Sequence, residues 1–215
     1  MLKKLQFAVF ALLIFSSANA QNFKWAVSGG GATYDEGVGI TTDANGNVLI
    51  TGMLESLANF SGTVLTAAGQ HDIVVAKYNA DGTLLWVRKA GGLEGDKAYG
   101  IVTDAAMNVY ISGEYEATSS FGNGISITSS GGNDAFIAKY DSSGNIQWVS
   151  PIKGTGEERG YGLSLDQAGN IYCTGFSSSG ITNFGNNKTT TGNAGGEDIY
   201  LAKFNSSGLC QWAKR

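Results

Sequence analysis

Three copies of one segment set the limits on how this chain can fold. Residues 72–86 (DIVVAKYNADGTLLW) return as residues 134–148 (DAFIAKYDSSGNIQW) and as residues 198–212 (DIYLAKFNSSGLCQW). Each copy is an apolar run, an Asn/Asp-x-x-Gly tetrapeptide and a second run that ends in Trp, which is the pattern of a β-hairpin. The glycine of each tetrapeptide supplies the positive φ that the turn requires; these glycines are Gly82, Gly144 and Gly208.

The tryptophans give the length of the repeat. Trp25, Trp86, Trp148 and Trp212 are separated by 61, 62 and 64 residues, and the repeats span about residues 25–86, 87–148 and 149–212. The differences in length fall between a recurring Gly (Gly52 in the first repeat) and the next Asp of the hairpin. Because insertions collect in surface connections, we predict a loop there.

Each repeat predicts four antiparallel strands, which we name a to d. In the first repeat they are residues 37–43, 47–52, 72–78 and 83–89. Strand c has four consecutive apolar residues, so both of its faces should be covered by neighbouring sheets. Asp43 is placed to cap the turn between strands a and b. The second repeat has Ala106-Met107 where the others have Asn-Gly or Ala-Gly, which predicts a strained turn.

Repeats of this length with four antiparallel strands favour radially stacked blades. We therefore predict an all-β, β-propeller-type array of three blades, with an extra outer strand at Phe23 to Val27. Three blades fall below the usual minimum of about four for a closed ring, which favours an open arc. The arc is either a fragment of a longer propeller or is closed by further repeats or self-association. A β-trefoil is the alternative fold, but the long repeat and the apolar c strands disfavour it.

Two motifs carry a resemblance to a known family. They are D-x-x-G-N-x-Y-x-x-G and D-x-F-x-A-K-Y-x-x-x-G-x-x-x-W, and the resemblance that they carry extends over essentially all of residues 23–215. They resemble the β-propeller repeats called SBBP repeats. The resemblance implies a propeller fold in an exported or surface protein, in many cases from bacteria. It implies no common catalytic residues.

The N-terminus has the three parts of a secretory signal peptide within residues 1–20. Lys3 and Lys4 form the positive end, Leu5 to Phe15 form an apolar core too short to span a bilayer, and Ala18-Asn19-Ala20 is a cleavage site. We expect residues 21–215 to be secreted, held at the cell surface or released into a periplasm. Removing two lysines leaves 12 basic and 18 acidic residues, which argues against a nucleic-acid partner.

Three acids occupy equivalent places ten residues after a Trp: Asp35, Asp96 and Glu158. They lie in the crossovers from strand d to the next strand a, on the face where the variable loops should emerge. An arc of acids on that face is predicted to attract cations or basic ligands. The alternative is ordinary solvated loop charge, since Lys97 and Arg159 directly follow two of the acids.

The remaining candidates have structural interpretations. Cys173 and Cys210 fall on strands b and d, too far apart for a disulfide across strand c, so we predict two buried free thiols. His71 is the only histidine and predicts neither a zinc site nor a catalytic triad. The repeated aspartates of the a–b turns and of strand c are interpreted as caps and lysine partners. Calcium ligation by these aspartates is the alternative, but no specific motif supports it, and we predict no cofactor.

One aromatic residue recurs in each variable loop. Phe60, Phe121 and Phe184 could stack on sugars, but recurrence in a Ser/Thr/Asn-rich segment favours an anchor tucked under the blade. The main hypothesis is a secreted or cell-surface, non-enzymatic propeller module that binds protein or glycan through its loop face. The alternatives are an extracellular carbohydrate lyase or hydrolase on the same scaffold, and a purely structural assembly unit. No residue is assigned a catalytic role.

Overall fold

A computed structural model describes residues 24–192 and 196–215 of the chain. The predicted signal peptide and Phe23 lie outside these residues. The elements of the described part are β-strands joined by turns and loops. Within the same ranges, no helix has the length and apolar character needed to cross a membrane.

Twelve of the strands form three antiparallel four-stranded sheets, the blades, each in the order a-b-c-d. Blade 1 contains β2 (Asp35–Thr42), β3 (Val48–Leu54), β6 (Asp72–Tyr78) and β7 (Leu84–Ala90). Blade 2 contains β8 (Lys97–Thr103), β9 (Val109–Tyr115), β12 (Asp134–Tyr140) and β13 (Ile146–Ile152). Blade 3 contains β14 (Glu158–Leu165), β15 (Ile171–Ser177), β18 (Asp198–Phe204) and β19 (Cys210–Lys214). The all-β fold and the four strands per repeat are as the sequence predicts.

The segment between strands b and c is not the plain loop that its variable length suggests. It holds a small antiparallel hairpin in every repeat. The hairpins are β4 (Leu57–Phe60) with β5 (Thr63–Thr66), β10 (Thr118–Gly122) with β11 (Ile125–Thr128), and β16 (Ile181–Asn183) with β17 (Thr189–Thr191). A further short strand, β1 (Gly29–Gly31), pairs with β4.

The turns follow the sequence prediction. Gly82, at the β6–β7 turn, has a φ of 82°, and its counterparts in the other blades are alike. Met107 has a φ of 63° where the other two a–b turns have glycine. A side chain is strained in this region, so the altered turn of the second repeat is a real departure from the pattern.

The side chains along each strand point alternately to the two faces of the blade. We call these faces forward (toward the next blade) and back (toward the preceding blade). The forward face of blade 1 packs Ile73 and Val75 against Phe136 on the back face of blade 2. The forward face of blade 2 packs Ile137 against Tyr200 on the back face of blade 3 in the same way. These two apolar clusters are junction 1–2 and junction 2–3. They explain why strand c of blade 2, which lies between them, is apolar on both faces.

The repeated Trp of each blade packs on the c–d turn of the following blade. Trp86 donates a hydrogen bond from Nε1 to the Ser142 carbonyl at 3.1 Å, and a Cβ on Gly144 would lie 2.8 Å from its ring. Only glycine therefore fits under the ring. Trp148 covers Gly208 in the same way.

Trp25 makes the same contact with blade 1. Its Nε1 donates to the Ala80 carbonyl at 2.9 Å, and its ring covers Gly82. The extra outer strand predicted at Phe23 to Val27 is nevertheless wrong for residues 24–27, which form no strand. An outer strand needs a neighbouring strand c for its hydrogen bonds, and only the contact of the Trp with the next blade remains.

Candidate binding face

The hairpins and the crossovers between blades form one surface, which we call the hairpin face. Backbone pairing joins them: Gly91 of the crossover exchanges hydrogen bonds with Ser120 at 3.0 Å, and Lys153 does so with Asn183. In the first repeat, β1 and β4 make the equivalent ladder. The variable segments and the crossovers therefore do emerge together, as the sequence predicts.

Each hairpin is fixed to its blade by the recurring Phe. Phe60, Phe121 and Phe184 are all buried. Phe121 packs edge-on against Phe136 with ring centroids 5.1 Å apart, and Phe184 packs against Tyr200 in the same manner. The anchor interpretation is therefore confirmed, and these rings have no free face on which a sugar could stack.

The outer side of each hairpin is exposed and rich in hydroxyl groups. Burial alternates along the strands, so every second residue points outward. The exposed Ser and Thr residues of the hairpin strands are Thr63, Thr66, Thr118, Ser120, Ser126, Thr128, Thr189 and Thr191. Three aliphatic side chains stand exposed on the same hairpins: Leu57, Val64 and Ile181.

The three candidate acids lie beneath this surface at equivalent positions. Asp35 is partly buried and accepts hydrogen bonds from the amides of Gly31 at 2.6 Å and Glu55 at 3.1 Å. Asp96 and Glu158 are fully buried. Asp96 accepts from the Gly92 amide at 2.8 Å and from the Ser119 hydroxyl. Neither fully buried acid is solvated loop charge, and any ligand would have to reach it through the hairpins.

Glu158 is held by hydroxyl groups. The Ser177 hydroxyl donates to Glu158 Oε1 at 2.6 Å and also lies 2.6 Å from the hydroxyl of Thr182. All three side chains are buried. The second oxygen, Oε2, has no hydrogen-bond partner among the described residues.

Each buried acid shares a blade junction with the first Asp of the preceding strand c. Asp96 lies near Asp72, and Glu158 lies near Asp134. Burial raises the pKa of Asp96 to about 6, and the charge of Asp72 adds to the rise. Burial likewise raises the pKa of Glu158, with a further rise from its contact with Asp134. Desolvation and a like charge both favour the protonated carboxyl group.

Sequence reasoning missed the partners of these acids. The sequence predicts that the repeated aspartates of the turns and of strand c act as caps and as partners of Lys77, Lys139 and Lys203. Lys77 does reach the turn residue Asp43 at 2.8 Å, and Lys203 reaches Asp166 at 3.7 Å. Asp72 on strand c pairs instead with Lys89 at 2.5 Å. A signal for the hydroxyl partners exists in the sequence, because Ser119 and Thr182 both stand two residues before an anchor Phe.

The turn aspartates are structural caps, as predicted. Asp43 accepts from the amides of Asn45 and Asn47 at 2.9 and 3.0 Å. Burial alone would raise its pKa, but the hydrogen bonds from Asn47 and Lys77 lower it to about 2. In the described ranges, no three His, Cys, Asp or Glu residues are grouped so that they could hold a metal ion.

The two cysteines are buried free thiols, as predicted. Burial raises the pKa of Cys173 to about 12 and that of Cys210 to about 11, so neither is a reactive thiolate. His71 is partly buried, and its carbonyl accepts a hydrogen bond from the Asp96 amide at 3.0 Å. Its imidazole packs over Gly95 of the crossover, where a Cβ would lie 2.8 Å from the ring.

Comparison with known proteins supports the architecture. No family model matches the chain. It is 25% identical over 222 residues to an uncharacterized WD repeat-containing protein of Acanthamoeba polyphaga mimivirus, a match that covers 87% of this chain and 16% of that protein. It is also 25% identical over 143 residues to the regulatory protein FlaEY of Caulobacter vibrioides, covering 65% of this chain and 15% of that one. The chain thus spans about a sixth of the length of these curated relatives, and the WD-repeat match agrees with a β-propeller-like repeat module.

Proposed function

We propose that this chain is an exported, non-enzymatic propeller module that binds a protein partner through its hairpin face. The observation that carries the proposal is the hairpin face itself: three hairpins with buried anchors and exposed outer sides, stitched by backbone pairing to the crossovers. A rigid scaffold that presents loops in this way is the usual arrangement of a binding surface.

The chemistry of the face favours a protein over a glycan. Its outward residues include hydroxyls, the amide side chains of Asn59 and Asn183, and three aliphatic side chains, and the recurring Phe rings are buried. Hydroxyls and small apolar groups suit the backbone and side chains of a protein, whereas a sugar-binding site commonly offers an open aromatic ring. The export part of the proposal rests on the signal-like residues 1–20 and on the resemblance to SBBP repeats.

An array experiment tests this function. The mature chain, residues 21–215, is applied to an array of purified extracellular proteins and to a glycan array. We expect binding to at least one protein, and loss of that binding in Val64→Asp and Ile181→Asp, which place a charge on two hairpins. Leu85→Asp is the matched control, because Leu85 is equally exposed but lies on the outer strand of blade 1.

Two results would contradict the proposal. One is binding to glycans without binding to any protein. The other is protein binding that Leu85→Asp weakens as much as the hairpin variants do, because the contact would then lie on the outer strands of the blades.

A further inference from the structure

The forward face of blade 3 exposes residues that the other two blades bury. Ile199 is 77% exposed and Leu201 is 44% exposed. Their counterparts are Ile73 and Val75 in blade 1, and Ala135 and Ile137 in blade 2, all of which are at most 1% exposed. The forward face of blade 3 therefore has the composition of a blade junction without a blade packed on it.

The back face of blade 1 shows the complementary feature. Ile40 on β2 is 72% exposed. Its counterpart in blade 2, Ile101, is 7% exposed and packs within junction 1–2. Leu163, the counterpart in blade 3, packs within junction 2–3. On the same face, Val74, Ala76 and Tyr78 of strand c are buried in a cluster with Phe60. Ile40, at the strand a edge of the face, is therefore the position left open to a partner blade.

The backbone at the two ends matches in the same way. At each internal junction the residue before strand c accepts a hydrogen bond from the amide of the next acid: Asp96 donates to His71 at 3.0 Å and Glu158 donates to Asn133 at 2.8 Å. Glu197 holds the acceptor position at one end of the arc, and Asp35 holds the donor position at the other. Beside Glu197 lies an open cleft of about 590 Å³, lined also by Ile199 and Arg215.

The turn of blade 1 at Gly82 already has a tryptophan packed on it. Trp25 covers Gly82 on blade 1, which is the place that the Trp of a preceding blade would take. Trp212, the Trp of blade 3, is 36% exposed. The two tryptophans are therefore candidates for the same turn.

We propose that the forward face of blade 3 docks onto the back face of blade 1 in a second copy of this chain, with Trp212 displacing Trp25 from the turn at Gly82. A contact between two different faces is heterologous, and two such contacts can close a ring. Two copies supply six blades, which lies within the four to eight of known propellers. This inference concerns the ends of the arc and is independent of the hairpin face.

Sedimentation velocity of residues 21–215 over a range of concentrations tests the proposal. We expect a concentration-dependent mass of two copies. Trp25→Ala should lower the dissociation constant about tenfold, because the displaced packing and hydrogen bond amount to about 1.4 kcal/mol. Ile199→Asp and Ile40→Asp should each raise it by at least about tenfold, since a charge would be buried at the contact.

The variants have matched controls. Leu93→Asp alters a side chain that is also 77% exposed but lies on the crossover, and it should leave the dissociation constant unchanged. Because Ile199 and Ile40 are exposed in the single chain, neither variant should lose its fold, and urea unfolding of each variant checks this.

A mixing experiment identifies the geometry. Ile199→Asp and Ile40→Asp each associate weakly alone, but an equimolar mixture retains one intact contact and should recover the two-copy mass. No recovery would indicate a symmetric contact between like faces and would overturn the proposal. A single-copy mass for both the wild type and Trp25→Ala would overturn it as well, leaving the end faces to further repeats.

Discussion

Each of the two blade junctions buries a pair of acids at equivalent positions, Asp72 with Asp96 and Asp134 with Glu158. The two junctions compensate the negative charge of these pairs differently. In junction 1–2, Lys89 on β7 reaches Asp72 at 2.5 Å, next to Asp96. In junction 2–3 the equivalent position on β13 is Pro151. Asp134 instead accepts from the amides of Ser130 at 2.7 Å and Gly154 at 3.0 Å.

The difference shows how one backbone tolerates two charge arrangements. Two buried carboxylates side by side are unfavourable unless a cation or a proton reduces their charge. A lysine supplies the cation in junction 1–2. In junction 2–3, the described residues place no Lys or Arg in an ion pair with Asp134 or Glu158. A proton on Glu158, whose pKa is raised by burial and by Asp134, is the remaining means.

Removing the lysine should have the largest effect. Lys89→Met leaves Asp72 buried without its cation, and we expect a loss of about 3 kcal/mol in the free energy of unfolding at neutral pH. The loss should shrink below about pH 6, where Asp96 carries a proton. Urea unfolding at the two pH values measures both effects.

Lys214→Met is the control for this variant. Lys214 is exposed on β19 and has no ion-pair partner among the described residues, so its removal should change stability little. An equal effect of the two substitutions would mean that the buried pair in junction 1–2 contributes no more than a surface charge.

The pH dependence of junction 2–3 gives the next largest effect. The raised pKa of Glu158 means that its stabilising protonated form is complete below the ordinary value of 4.5 and is lost as pH rises through the folded-state pKa. Glu158→Gln keeps an acceptor for Ser177 and offers an amide donor to Asp134 at any pH. We expect it to stabilise the chain by about 1–2 kcal/mol under mildly alkaline conditions and to flatten the pH profile of the urea midpoint.

Glu157→Gln separates this effect from a general change of charge. Glu157 is the neighbouring residue, and its side chain is about half exposed. The Glu157→Gln substitution should leave the pH profile of the urea midpoint unchanged. A Glu158→Gln profile as steep as that of the wild type would show that Glu158 is ionised in the folded chain.

Much of the blade could be predicted from the sequence because its signals are local. The Asn/Asp-x-x-Gly turns, the apolar strand c and the recurring Trp each depend on residues close together in the chain. The hairpins between strands b and c are short, and their alternation of outward and buried residues, as at Ala58 and Phe60, is too brief to predict a strand.

The burial of Asp96 and Glu158 could not be predicted from local sequence patterns. The repeat placed Asp96 and Glu158 at equivalent positions, but their burial depends on hairpins that fold over them and supply Ser119 and the Ser177–Thr182 pair. The difference between Lys89 and Pro151 is visible in the sequence, yet its meaning appears only when strand d lies beside strand c. The sequence therefore located the acids, and tertiary packing raises their pKa values.

The smallest expected effect concerns the other end of the junctions, where a residue two places after each Trp reaches the next turn. Arg88 donates from Nε to the Gly144 carbonyl at 2.9 Å, whereas Ser150 donates to the Gly208 carbonyl at 2.6 Å. Ser150→Ala should lower the free energy of unfolding by about 1 kcal/mol, the value of one hydrogen bond. Ser206→Ala, an exposed position in the same turn, should have little effect in the same urea titration. If the two serine variants were equally stable, the Ser150 hydrogen bond would contribute nothing beyond the packing of Trp148 on this turn. The charge arrangement would then be the main chemical difference between the junctions.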